Sequence, residues 1–128
     1  MGKQQNKETG NRGETLAAEY LAKKGYEILI RNYRSKWGEV DIICKTKQQT
    51  NKLTNEEIVV FVEVKTKMTD KYGEPWEMIN HWKVEQIKRM GESWCREFNW
   101  TGRVRVDVVG VWLGEEVPRV EHWESVQV

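Results

Sequence analysis

Residues Ile58 to Val64 read Ile-Val-Val-Phe-Val-Glu-Val, and no other stretch restricts the fold of this chain so strongly. Six of the seven are β-branched or aromatic, the composition of a strand covered on both faces. Such a strand belongs at the centre of a sheet with helices on either side. A chain of 128 residues has room for one domain around that strand and too little for two. The rest of the pattern agrees. Residues 1–10 read as a flexible arm and residues 11–128 as a single domain. A helix is expected from about Arg12 to Lys24, with Asn11 as N-cap and Gly25 as the stop. Strands follow at Tyr26 to Tyr33 and Glu39 to Cys44, then a polar loop or hairpin tip from Lys45 to Glu57. After the central strand a second helix is expected from Pro75 to about Phe98, with strands at Arg103 to Trp112 and Val117 to Trp123. The fold class is therefore α/β, a mixed β-sheet flanked by α-helices.

Alternation along the central strand sends Val60, Val62 and Val64 one way and Phe61, Glu63 and Lys65 the other. A carboxylate and an ammonium thus end the most buried strand, where each is costly unless paired, wet or metal-bound. On the preceding strand Glu39, Asp41 and Ile43 are expected to share a face, which brings Asp41 beside Glu63 if the strands are neighbours. Two carboxylates that close repel unless a cation lies between them. Oxygen donors select a hard ion, Mg²⁺ or Mn²⁺, with the Val64 carbonyl as a third ligand. Lys65 at the same rim can offset charge on a phosphorane-like transition state. Taken singly, Glu63 with Lys65 is also a plain same-face salt bridge and Asp41 a turn residue.

The helices carry two further polar anomalies. Glu14 falls on the buried stripe with Ala17, Ala18 and Leu21, while Glu19 falls off it; a capping box with Asn11 is the competing role for Glu14. Lys83 interrupts a stripe of Ile79, Ile87, Met90, Trp94 and Phe98, and either snorkels to water or reaches a phosphate. Arg105 and Asp107 share a strand face and read as an ion pair. His81, His122, Cys44 and Cys95 lack zinc or triad spacing. The seven tryptophans are scattered, a pattern of packing first and of a partner interface second.

Charge is uninformative in sum and polarised in detail. The net charge is +1, yet residues 1–36 hold eight Lys or Arg against four Glu, and residues 113–128 hold one Arg against four Glu. There is no apolar run of membrane-spanning length and no apolar segment near Met1. With two unpaired cysteines besides, a reducing cytoplasm is the expected compartment.

Gly13-Glu14, Arg31-Asn32-Tyr33-Arg34, Gly38-Glu39-Val40-Asp41, Phe61-Val62-Glu63-Val64-Lys65, Gly73, Lys83 with Ile87, and Arg105-Val106-Asp107-Val108-Val109 stand in an order that resembles the bacterial YraN family. That family is similar to archaeal Holliday junction resolvases and to the PD-(D/E)XK nuclease superfamily. The resemblance implies a restriction-endonuclease-like fold, Asp41 and Glu63 as metal ligands, Lys65 as the catalytic lysine and Glu14 as an acid near the metal. It further implies DNA as substrate and a possible homodimer. Val40 replaces the superfamily's nominal proline, Lys67 stands where arginine is frequent, and the segment from Lys45 to Glu57 is long. On this reading the protein is a metal-dependent endonuclease for structured DNA, with Arg12, Arg34, Lys67 and Lys83 as phosphate contacts.

Overall fold

The run from Ile58 to Val64 is the middle of β3, the third of five strands in a sheet that keeps chain order: β1 (Glu27–Ser35), β2 (Gly38–Gln49), β3 (Asn55–Lys67), β4 (Arg103–Trp112) and β5 (Arg119–Trp123). The computed structural model describes residues 3–49, 55–68 and 80–126. β3 pairs antiparallel with β2 and parallel with β4, and the other pairings are antiparallel. The parallel pair requires a crossover, which α2 (His81–Glu97) helps to supply.

α1 (Lys3–Lys23) and α2 cover opposite faces, so the alternation of β3 feeds two cores. Val60 and Val62 pack with Ala17 and Leu21 of α1. Val59 and Phe61 pack with Val84, Ile87, Met90 and Trp94 of α2. The result is an α/β fold, a mixed sheet flanked by helices as in a restriction-endonuclease-like domain.

Element boundaries depart from expectation in four places. α1 starts at Lys3, taking in residues read as an arm, because Gln, Lys and Glu are good helix formers and nothing in the stretch breaks the helix. Asn11 is then interior to α1 rather than its cap, which removes the capping-box role of Glu14. β2 and β3 extend well into the supposed loop, where their polar residues form a ribbon with Lys45 between Glu27 and Glu57 at 3.7 and 3.6 Å; its tip, 50–54, lies outside the described residues. α2 begins at His81, where the Asn80 side chain accepts the Lys83 N–H at 2.9 Å. Gly73, Pro75 and Ile79 lie outside the described residues. Finally, Phe98 is the C-cap of α2 and is exposed, its expected place in the stripe taken by Val84 and Gly91.

Arg105 and Asp107 do pair, at 2.8 Å, and they do so inside the protein. Asp107 is fully buried and also accepts from the Ser125 N–H. The His122 ring lies 2.7 Å from Asp107 through Nε2 and 3.0 Å from the Lys24 ammonium through Nδ1. Because an ammonium can only donate, His122 carries its proton on Nε2 and gives it to Asp107. Arg105 also donates to the Tyr26 hydroxyl, tying the end of α1 to β4 and the carboxy-terminal segment.

Candidate active site

The β2–β3 ladder ends with Ile42 opposite Val62, and one further step in the same register sets Asp41 opposite Glu63. At that step a side chain replaces the partner strand: Asp41 Oδ2 accepts the Val64 N–H at 2.8 Å. The other neighbour of β2 is irregular at the same point. β1 pairs Arg31 with Ile42 and Tyr33 with Val40, skipping Asn32, whose φ of 56° is left-handed. The register is unchanged across Asn32, yet the faces of β2 switch here. Val40 and Ile43 pack under α2, whereas Ile42 and Cys44 pack under α1. Glu39, Asp41 and Ile43 therefore do not share one face as uninterrupted alternation predicts: Ile43 is in the α2 core, and Asp41 and Glu39 line a cavity beside α1.

That cavity, about 490 Å³, is bordered by Glu14, Arg34, Glu39, Asp41, Val64 and Thr66 among others. Glu14 reaches it because α1 approaches β3 closely at Gly13, where a Cβ would fall on the Thr66 side chain. Only 8% of Glu14 is exposed, and its Oε1 has no hydrogen-bond partner, the Arg31 Nε standing 3.6 Å away. Burial raises its carboxyl above the usual range, with Arg31 opposing. Burial, then the charge of Glu63, pushes the Asp41 carboxyl up to about 7, while the Val64 N–H works the other way.

Glu63 and Lys65 project toward α2, as alternation from Phe61 requires. Glu63 Oε1 lies 3.3 Å from the Lys65 ammonium and 3.8 Å from that of Lys83. Lys83 thus turns inward to the sheet. The two acids come from opposite sides of the opening between β2 and β3, and the cavity that holds Asp41 and Glu14 is not lined by Glu63 or Lys65. Of the expected phosphate contacts, Arg34 borders the cavity and faces Glu39 at 3.4 Å. Arg12 is exposed on α1 and Lys67 sits at the end of β3; neither lines the cavity.

The donors are oxygens, as a hard divalent ion requires: a buried Glu14 carboxylate whose Oε1 has the Arg31 guanidinium 3.6 Å away but no hydrogen bond, and an Asp41 that burial and a second acid keep from ionising freely. Among the described residues no three His, Cys, Asp or Glu gather as a ready metal cluster. The residues expected to hold Mg²⁺ or Mn²⁺ are Asp41 and Glu63 with the Val64 carbonyl, and the two acids reach the opening from opposite faces of the sheet. Arg31, Asn32, Glu39 and Thr66 shape the site without having been singled out as site residues from sequence. Asn32 left one trace, since asparagine is among the few residues that favour a left-handed backbone.

The model of the uncharacterised protein family UPF0102 matches residues 13–111. UPF0102 proteins of Leifsonia xyli subsp. xyli, Rhodococcus opacus and Geobacter metallireducens are 42%, 40% and 33% identical to the chain. The matches span 93%, 88% and 91% of this chain and 95%, 90% and 89% of those proteins. Among the described residues no helix is long and apolar enough to cross a membrane.

Proposed function

The chain belongs to the UPF0102 family, and from the site its sheet assembles we propose that it is a divalent-metal-dependent DNA endonuclease acting on branched or otherwise structured DNA. One observation carries the reading: Asp41 takes the Val64 amide at the point where β2 and β3 part, with Glu63 and Lys65 on either side of Val64. A structural aspartate gains nothing from burial beside a second acid, whereas a metal ligand does.

Mg²⁺ or Mn²⁺ bound there supplies a polarised phosphoryl oxygen and an acidified water. Asp41 and Glu63 would hold the ion, one from each side of the opening between β2 and β3. Glu14, whose carboxyl burial raises, would accept a proton from water entering the cavity, with Arg31 beside it. Lys65, kept at the site by Glu63, offers positive charge to the pentavalent transition state. Lys83 approaches the same carboxylate from α2 and is placed to meet a phosphate. By likeness to the resolvases, a homodimer acting on DNA is part of the proposal, with the cytoplasm as its compartment.

A second reading has its own support. Glu63 already has two ammonium neighbours, as in a nuclease fold that binds DNA or a protein partner without cutting it. Incubating the full chain with linear, flapped and four-way DNA in Mg²⁺, Mn²⁺ or EDTA separates the two. Cleavage that requires metal and falls at least a hundredfold in Asp41→Asn and Lys65→Ala is the expected result, on the order of the loss of one transition-state group. Binding without cleavage of any of these substrates would establish the second reading.

A further inference from the structure

We propose that Trp37 and Trp82 form a stacking platform for unpaired bases of DNA beside the carboxylate site, an inference that rests on the nuclease reading for the fate of the bound strand. Trp37 stands on the turn between β1 and β2 and is 54% exposed; Trp82, in the first turn of α2, is 69% exposed. Both line a recess of about 220 Å³ together with Lys36, Gln86 and Arg89. The turn that carries Trp37 is pinned to α2. Gln86 Nε2 donates to the Trp37 carbonyl at 2.6 Å, and the Trp37 N–H donates to Ser35 Oγ at 3.1 Å. The Ser35 hydroxyl in turn donates to Met90 Sδ at 2.9 Å. Gly38, at φ 143°, completes the turn with the Gln86 side chain where a Cβ would otherwise stand. The fold spends specific contacts on keeping Trp37 in place while leaving its ring in water.

Charge decides what such a surface suits. Lys36 Nζ lies 5.0 Å from the Trp37 ring centre, and Arg89 has no ion-pair partner among the described residues. Among the described residues the one acid of the recess, Glu85, faces Lys88 at 3.6 Å. Indoles interleaved with cations match bases interleaved with phosphates, whereas the centre of a protein interface is depleted in charge. The platform's residues are also chain neighbours of the site's. Lys83, next to Trp82, reaches Glu63, and Arg34 and Glu39, which flank the turn, line the Asp41 cavity. On this proposal an unpaired base on these rings leads the strand toward Lys83 and Arg34, which selects DNA with unpaired nucleotides over plain duplex.

Fluorescence anisotropy of the full chain with labelled oligo(dT) and with a blunt duplex, in EDTA so that nothing is cut, tests this. Trp37→Ala and Trp82→Ala should each weaken oligo(dT) binding about tenfold and leave duplex binding unchanged, with Phe at either position retaining most of the affinity. Equal losses on both ligands, no loss on either, or no oligo(dT) binding by the native chain would overturn the platform. Self-association that sedimentation shows to depend on the two tryptophans, with DNA binding unaffected, would overturn it in favour of a protein interface. Should Trp37→Ala fail to fold by circular dichroism, Trp82→Ala decides alone. Native chain that binds oligo(dT) and cuts nothing would sink the nuclease reading and leave the platform standing.

Discussion

Asp41 and Asp107 are both buried aspartates, and their surroundings push them in opposite directions. Burial and Glu63 raise Asp41, so its ionisation costs the folded state. Its contribution to stability is complete below the unfolded value of 3.8 and is lost as pH rises through about 7. Metal-free protein should therefore lose on the order of 2 kcal/mol from this group between about pH 5 and pH 8, and Asp41→Asn should remove the loss. Urea unfolding at the two pH values checks this, and Mg²⁺ should raise the melting temperature at the higher pH in the native chain alone. For Asp107, burial would raise the carboxyl, but the His122, Arg105 and Ser125 donors together bring it below its ordinary value. Its contribution is present above 3.8 and is lost as pH falls further, through the lowered folded value. Asp107→Asn removes the closer counter-charge of the Arg105 guanidinium, 9% exposed, leaving the exposed Glu124 carboxylate at 3.8 Å, and should cost about 3 kcal/mol by urea unfolding. That variant's stability should also respond less to acid.

At the scale of elements, the position of α1 is set by one missing side chain. Gly→Ala within a helix normally gains about 0.5–1 kcal/mol, but at Gly13 the new methyl meets Thr66 on β3. Gly13→Ala should instead destabilise by about 1–3 kcal/mol and shift Glu14 from the cavity. The double variant Gly13→Ala with Thr66→Ala should recover most of the loss in thermal melts, a coupling expected only of residues in contact. What was legible in the sequence follows the same division between strong and weak local signals. The β-branched run of β3, the stop at Gly25 and the alternation around Glu63 and Lys65 are strong local signals, and they placed the central strand, the end of α1 and the facing of Glu63; the order of the strands was not legible in them. The switch of faces at Asp41 was hidden, because it departs from plain alternation at a point where the left-handed Asn32 stands one strand away. The polar ribbon after Lys45 was hidden as well, since cross-strand ion pairs stabilise it without any apolar pattern.

For the whole molecule, a net charge of +1 means that long-range attraction to DNA is weak and contact must come from a few placed groups. Four cations were expected to meet phosphates, yet at least two of them already face acids: Arg34 lies 3.4 Å from Glu39 and Lys83 3.8 Å from Glu63. Binding a phosphate with either one means exchanging a protein carboxylate for it, which releases fewer ions from the DNA than a free lysine or arginine would. The slope of log K against log salt should accordingly fall between about −1 and −3, short of the roughly −3.6 that four independent contacts would give on duplex. Stacking on Trp37 and Trp82 adds a component that salt screens little, so discrimination in favour of oligo(dT) over duplex should widen as salt rises from about 0.05 to 0.3 M. Anisotropy titrations across that range, on native chain and on Trp82→Ala, read both quantities at once. A slope near −4 with constant discrimination would show that phosphate contacts alone hold the DNA, and that the two indoles face water for another reason.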